Sequence, residues 1–297
     1  MTLKGLYAAF FMLHASFLIS SCSSDELDPT SIFENQMTEA QQASSPFDKW
    51  IVKHYVKAYN IDLKYRLDDI ETDYTYNLVP ADQSQAIRMA HAVLYGWLQA
   101  YDETSGVDFT RQYVPKLIHL VGSYAFTKKG TTKLGTAEDG LKVTLYGVNN
   151  FSTSEATLND YFQIMHHEFT HILAHNKEYD TAFRLISDGS YVTGEWTSKT
   201  ETEALQAGFI NTYAMSEYNE DFAETLSFYL IYTPAKWREK MNTAGSDGEA
   251  VISRKLAIVR AYMLSAWDID IDQLRDILQR RISDIVSGQV DLDDVSV

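Results

Sequence analysis

The stretch "IMHHEFTHIL", residues 164–173, sets His166, His167, Glu168 and His171 inside an otherwise apolar run. Buried polar groups are costly unless something satisfies them. On a helix, His167 and His171 are four residues apart and project from one face. Two imidazoles one turn apart can bind a single zinc ion, with Glu168 pointing into the cleft beside it. Ile164, Met165, Phe169, Thr170, Ile172 and Leu173 are uncharged, a frame that suits a helix buried at the base of a cleft. A metal-free core helix would have to satisfy His166, His167, Glu168, His171 and His175 within about two and a half turns. One zinc ion answers three of these demands, which favours metal. His166 points roughly 100° away from His167 and reads as structural.

His175 extends the pattern to a third histidine, but an unbroken helix carries it ~12 Å along the axis from His167. Zinc–nitrogen bonds near ~2.0–2.1 Å cannot span three consecutive turns. His175 is therefore expected to back the site, to line the cleft or to end the helix in solvent. A better third ligand lies 49 residues beyond His171, in "SEYNEDFAETLSFYLIY" (216–232). Glu220 and Glu224 share a helix face among Phe222, Ala223, Leu226 and Phe228. Two like charges in such surroundings are unfavourable unless a cation lies between them and their partners. This fits Glu220 as third zinc ligand and Glu224 behind it, accepting an N–H from a ligand histidine.

Around this segment the chain changes character. Helical spacing is expected over 45–60, with Ser45 before Pro46 as the cap, and over 81–103. "IDLKYRLDD" (61–69), "KLIHLVGSYAF" (116–126) and "LKVTLYGVN" (141–149) read as strands. From about Ala156 the pattern is mostly helical, clearest over 156–175, 200–214, 219–231, 235–242, 249–266 and 270–287. A mixed first half, the His-Glu segment at the junction and a helical second half give an α+β order. That is the order of a zincin, with an upper lobe over 46–176 and a helical lower lobe over 177–297. "KVTLYGVN" (142–149) is the expected edge strand over the metal helix, where an extended peptide adds a strand and Gly147 permits close approach.

The first 21 residues read as a leader: Lys4, then an apolar run, then small residues ahead of Cys22. "ISSC" resembles the lipobox of bacterial lipoproteins, which makes Cys22, the only cysteine, the lipidated first residue of the mature chain. Residues 22–45 are polar and acidic and read as a tether; this segment resembles the surface-export signal of Bacteroidetes lipoproteins. Residues 46–297 read as one catalytic unit, without an internal repeat. Lys4 is the only charge before Cys22, so loss of the leader takes the net charge from −16 to −17. That acidity argues against nucleic acid, and leaves the lipid as the sole membrane contact.

"HEFTH" followed by "EDFAE" resembles the gluzincin metallopeptidases, in which a downstream Glu completes the ligand set. With the lipoprotein leader, "HHEFTHILAH" and "NEDFAETLSFYL" look like the zinc metallopeptidase lipoproteins of Bacteroidetes, which are associated with outer-membrane substrate importers. The resemblance covers about 156–235 and implies one zinc ion, a peptide or protein substrate, an outer-membrane, surface-exposed address and an importer as partner. Glu168 is the expected general base. Lethal-factor-like gluzincins carry an oxyanion-stabilising Tyr seven residues before the Glu ligand, and Tyr213 holds that position here. The alternatives are a non-catalytic peptide- or glycan-binding subunit of an importer on the same scaffold, and a zinc hydrolase acting on other substrates. A binding module has no need of Glu168 beside two ligand histidines.

Overall fold

The computed structural model describes residues 44–67, 76–126, 132–138 and 141–297, and its compact unit runs Pro46–Val297. The leader, Cys22 and the tether to Ala43 lie outside the described residues.

Helix α1 (residues 46–59) begins at Pro46, whose fixed φ and missing N–H are harmless in a first turn. It buries Phe47, Trp50, Ile51, Tyr55 and Tyr59 and stops at Asn60 in the left-handed conformation. Strand β1 (Asp62–Lys64) follows and is shorter than its alternating pattern suggested. Helix α2 (residues 83–105) contains a wide π turn over Leu94–Leu98. Gly96 lies in that turn, and a Cβ there would stand 2.2 Å from Phe162 Cζ. The glycine lets the next long helix pack directly on the turn. Helix α3 (Val107–Tyr113) leads into the sheet.

Strands β2 (Leu117–Leu120), β5 (Gly135–Glu138) and β6 (Lys142–Leu145) join β1 in the order β1-β2-β6-β5. The first three of that order are parallel, and β5 runs antiparallel to β6. Between β2 and β5, strands β3 (Ala125–Phe126) and β4 (Thr132–Lys133) pair as a small hairpin. The sheet's edges are β1 and β5, and the one against the metal helix is β5, a correction to the expected 142–149. Strand β6 is paired on both sides and all four of its residues are buried. Gly147 serves a turn instead of a peptide: its φ is 76°, and Tyr124 occupies the space a Cβ would need.

Helix α4 (Glu155–Asn176) carries the His-Glu segment. Ser154 caps it, its Oγ accepting from Thr157 N at 3.3 Å. Helices α5 (Ala182–Ile186) and α6 (Glu201–Gln206) are short, and Thr200 with Glu203 closes a capping box on α6. The helix expected to 214 ends at Gln206. Gly208 follows with φ 86° and with Val251 packed where a Cβ would be, so the chain turns and runs as loop to a 3-10 turn at Tyr213–Met215. Helix α7 (Tyr218–Ile231) packs along α4. Helix α8 (Pro234–Trp267) is broken at Gly245, φ 69°, which accounts for the two segments expected there. Helix α9 (Ile271–Val286) returns to pack on α2 and α7. One buried apolar cluster extends from Phe47 to Leu292, so the expected upper and lower halves share a core. No helix among the described residues is long and apolar enough to cross a membrane.

Candidate metal centre

Helices α4 and α7 bring three donors to one point. His167 Nε2 lies 3.0 Å from Glu220 Oε2, His171 Nε2 lies 3.4 Å from the same oxygen, and the two imidazole nitrogens are 3.1 Å apart. Donors around a tetrahedral zinc with bonds near ~2.05 Å stand roughly 3.3 Å from one another. Glu220 Oε2 is buried and has no aligned hydrogen-bond donor, although two imidazoles face it. Three donor atoms thus converge within reach of a single ion, and the residues present fit a metal ion.

The electrostatics point the same way. Burial alone would push the His167 imidazole down, but Glu220 and Glu224 outweigh it and drive its affinity for positive charge up. Burial would likewise raise the Glu220 carboxyl, and His167 and His171 hold it well below the usual range. Glu224 stands behind His167, with Oε1 2.5 Å from Nδ1. Gln163 Nε2 donates to that same oxygen at 3.0 Å and to Ser227 Oγ at 3.1 Å, and Asn211 Nδ2 donates to Glu224 Oε2. With its proton on Nδ1, His167 leaves the Nε2 lone pair for a metal.

Glu168 lines the same cleft, and its carboxylate makes no hydrogen bond to any described residue. Burial raises its carboxyl above the usual range, while His167 and His171 oppose the rise. Tyr213 stands across the cleft, its ring centroid 6.0 Å from that of His167 and 5.0 Å from that of Trp196. Burial and the Glu220 carboxylate push its phenol up, so it keeps its proton at neutral pH. His175 is exposed at the rim, lines the cleft and makes no side-chain hydrogen bond to the described residues, so it does not back the ligands. His166 is fully buried, its Nδ1 2.9 Å from Tyr101 Oη.

Comparison with known proteins agrees with this geometry. The family described as "Putative zinc-binding metallo-peptidase" matches residues 39–272. The chain belongs to that family. A crystal structure of a "putative zinc-binding metallo-peptidase" from Bacteroides caccae is 42% identical, with a TM-score of 0.75. The match covers 90% of this chain and 98% of that one. Among curated proteins, none matches.

Several groups that shape the centre escaped sequence reasoning. Gln163, Asn211 and Ser227 are neutral polar residues without a spacing that singles them out. Lys255 and Asp221 form a wholly buried ion pair at 2.7 Å, with Lys255 Nζ also donating to Gly208 O and Tyr191 Oη to Asp221 Oδ2. That pair ties α7, one residue from Glu220, to α8. Gly135 and Thr136 of the edge strand line the cleft beside Ile164. A Cβ at Gly135 would stand 2.6 Å from Ile164 Cγ2, so the strand lies directly over the metal helix.

Proposed function

We propose that this chain is a zinc-dependent peptidase anchored by lipid at the bacterial cell envelope. The observation that carries the reading is the convergence of His167, His171 and Glu220 beside a carboxylate, Glu168, that makes no hydrogen bond among the described residues. Those three residues would hold one zinc ion. When bound, zinc supplies Lewis acidity: it polarises a carbonyl and lowers the pKa of water towards ~7.

The chain's own groups supply the remainder. Glu168 takes the proton of the attacking water and returns it to the leaving amine. Tyr213, protonated and facing the ligands, donates a hydrogen bond to the oxyanion as charge develops there. Glu224 keeps the His167 proton on Nδ1 and the ring in one orientation. The free edge of β5 accepts an extended substrate backbone above α4, which selects a polymer with N–H and C=O groups at strand spacing and so favours a peptide. Cys22 carries the lipid, and association with an outer-membrane importer follows from the lipoprotein resemblance.

The test combines metal analysis with a peptide-library cleavage screen on wild type and Glu168→Gln. The expected result is stoichiometric zinc in both proteins, with kcat about 10²–10⁴ lower in the variant. Loss of metal from Glu168→Gln would mean that Glu168 is misassigned.

A further inference from the structure

The cleft, about 2220 Å³ in volume, is walled by carboxylates, among them Glu168, Glu178, Glu217 and Glu220. Two long cationic side chains also line it, Lys116 and Arg184. Lys116 is already engaged, its Nζ donating to the Arg111 carbonyl. Arg184 is not. Among the described residues no carboxylate comes within ion-pair distance of it, and its Nε is buried without a hydrogen-bond partner. In an acidic chain, a cleft arginine without a carboxylate is the exception that needs a reason.

The guanidinium is held in place by aromatic faces. It lies 4.3 Å from the centroid of Tyr218 and 5.8 Å from that of Tyr179. Tyr179 stacks on Phe222 at 3.9 Å and 10°, and donates through its hydroxyl to Asn219 at 2.9 Å. Phe183, beside Arg184 on α5, is fully buried and packs on the same Phe222 at 5.0 Å. Tyr218, Asn219, Glu220 and Phe222 all belong to the first two turns of α7. The arginine is therefore mounted on the helix that carries the third ligand. Tyr218 lies against the guanidinium, and no ion pair takes up the terminal N–H donors that do not reach Tyr179, the fork that matches a carboxylate.

We propose that Arg184 is the specificity-determining cation of the cleft and takes a carboxylate of the substrate peptide. This rests on the peptidase reading. The carboxylate is either an acidic side chain or the free C-terminus, and the two share one recognition chemistry.

Three matched hexapeptide libraries separate the sources: neutral with an amidated end, neutral with a free C-terminal carboxylate, and Glu-containing with an amidated end. Each is assayed for kcat/KM with the zinc-loaded mature chain, and for Kd with zinc-loaded Glu168→Gln, which reads binding without turnover. One acidic library should exceed the neutral amide about 10- to 100-fold in both readouts, and which one does so identifies the source. Arg184→Gln, alone and combined with Glu168→Gln, should bring that ratio to about one, and Arg184→Lys should restore only part of it. A merely structural arginine would lower thermal stability and shift all three libraries alike. Equal kcat/KM and Kd across the libraries in the starting proteins, or a preference that survives Arg184→Gln, would overturn the proposal. If no library is cleaved, the peptidase reading fails, and the Kd ratio alone decides on Arg184: a flat ratio or no binding rejects it.

Discussion

Glu224 Oε1 lies 2.5 Å from Nδ1 of His167, on the side of the ring opposite Glu220. The imidazole is thus gripped between two carboxylates, one beside each ring nitrogen.

That grip has a measurable size. Glu224→Gln should weaken zinc about 10- to 100-fold in chelator competition, because Nδ1 loses its anionic acceptor while the ligand set stays intact. Glu220→Ala should cost far more, and His175→Ala almost nothing, because His175 makes no hydrogen bond to the ligands. The reverse order would reassign the third ligand.

Tyr213→Phe keeps the ring against Trp196 and removes only the donor. The expected outcome is a fall in kcat of about 10²–10³ with zinc content unchanged and KM little affected. A change of less than about twofold would return Tyr213 to a packing role.

The Lys255–Asp221 pair is buried on both sides. Burial lifts the Asp221 carboxyl to about 6 even with Lys255 opposing the shift. Lys255→Met should therefore destabilise the fold by ~3–5 kcal/mol in urea denaturation, since a buried charge is left alone. Adding Asp221→Asn should recover most of that loss. No recovery would place the cost in the packing of the Lys255 stem against Phe209 instead.

Acid sensitivity should trace in part to His166. Burial holds its imidazole down at about 3, against 6.5 ordinarily. Between those values the unfolded chain binds a proton that the folded chain refuses. This part of the stability is complete above pH ~6.5 and is lost as the pH falls. In chelator, His166→Gln should flatten the slope of unfolding free energy below pH ~6 by up to ~1.4 kcal/mol per pH unit. Equal slopes would show that His166 already carries its proton in the fold.

The convergence of His167, His171 and Glu220 was legible in the sequence because their chemistry contradicts their surroundings. His167 and His171 sit one turn apart in an apolar run, and Glu220 and Glu224 repel each other among Phe222, Ala223 and Leu226. The groups that hold Glu224 were not legible, since Gln163 and Asn211 are ordinary surface-type residues until the fold delivers them. The edge strand was misread for a related reason. "KVTL" looks like a strand because it is interior and carries β-branched Val143 and Thr144, whereas "GTAE" at 135–138 is short and built of small and polar residues, as suits an edge that faces a cleft. Local pattern reports burial, and strand order is a tertiary fact. Helix 200–214 overran its true end because Gly208 and its neighbour Val251 are 43 positions apart.

The return of α9 onto α2 bears on the order in which the centre is built. Tyr95 donates to Asp284 across 189 positions, and Arg281 reaches Glu103 across 178. Without α9, every candidate donor would be present, yet α7, the bearer of Glu220, would lack one of the helices it packs on, α4 being another. Closing so distant a contact is slow compared with forming helices. A metal held by His167, His171 and Glu220 would therefore reach its final geometry only after α9, sixteen residues long, has closed on α2 and α7.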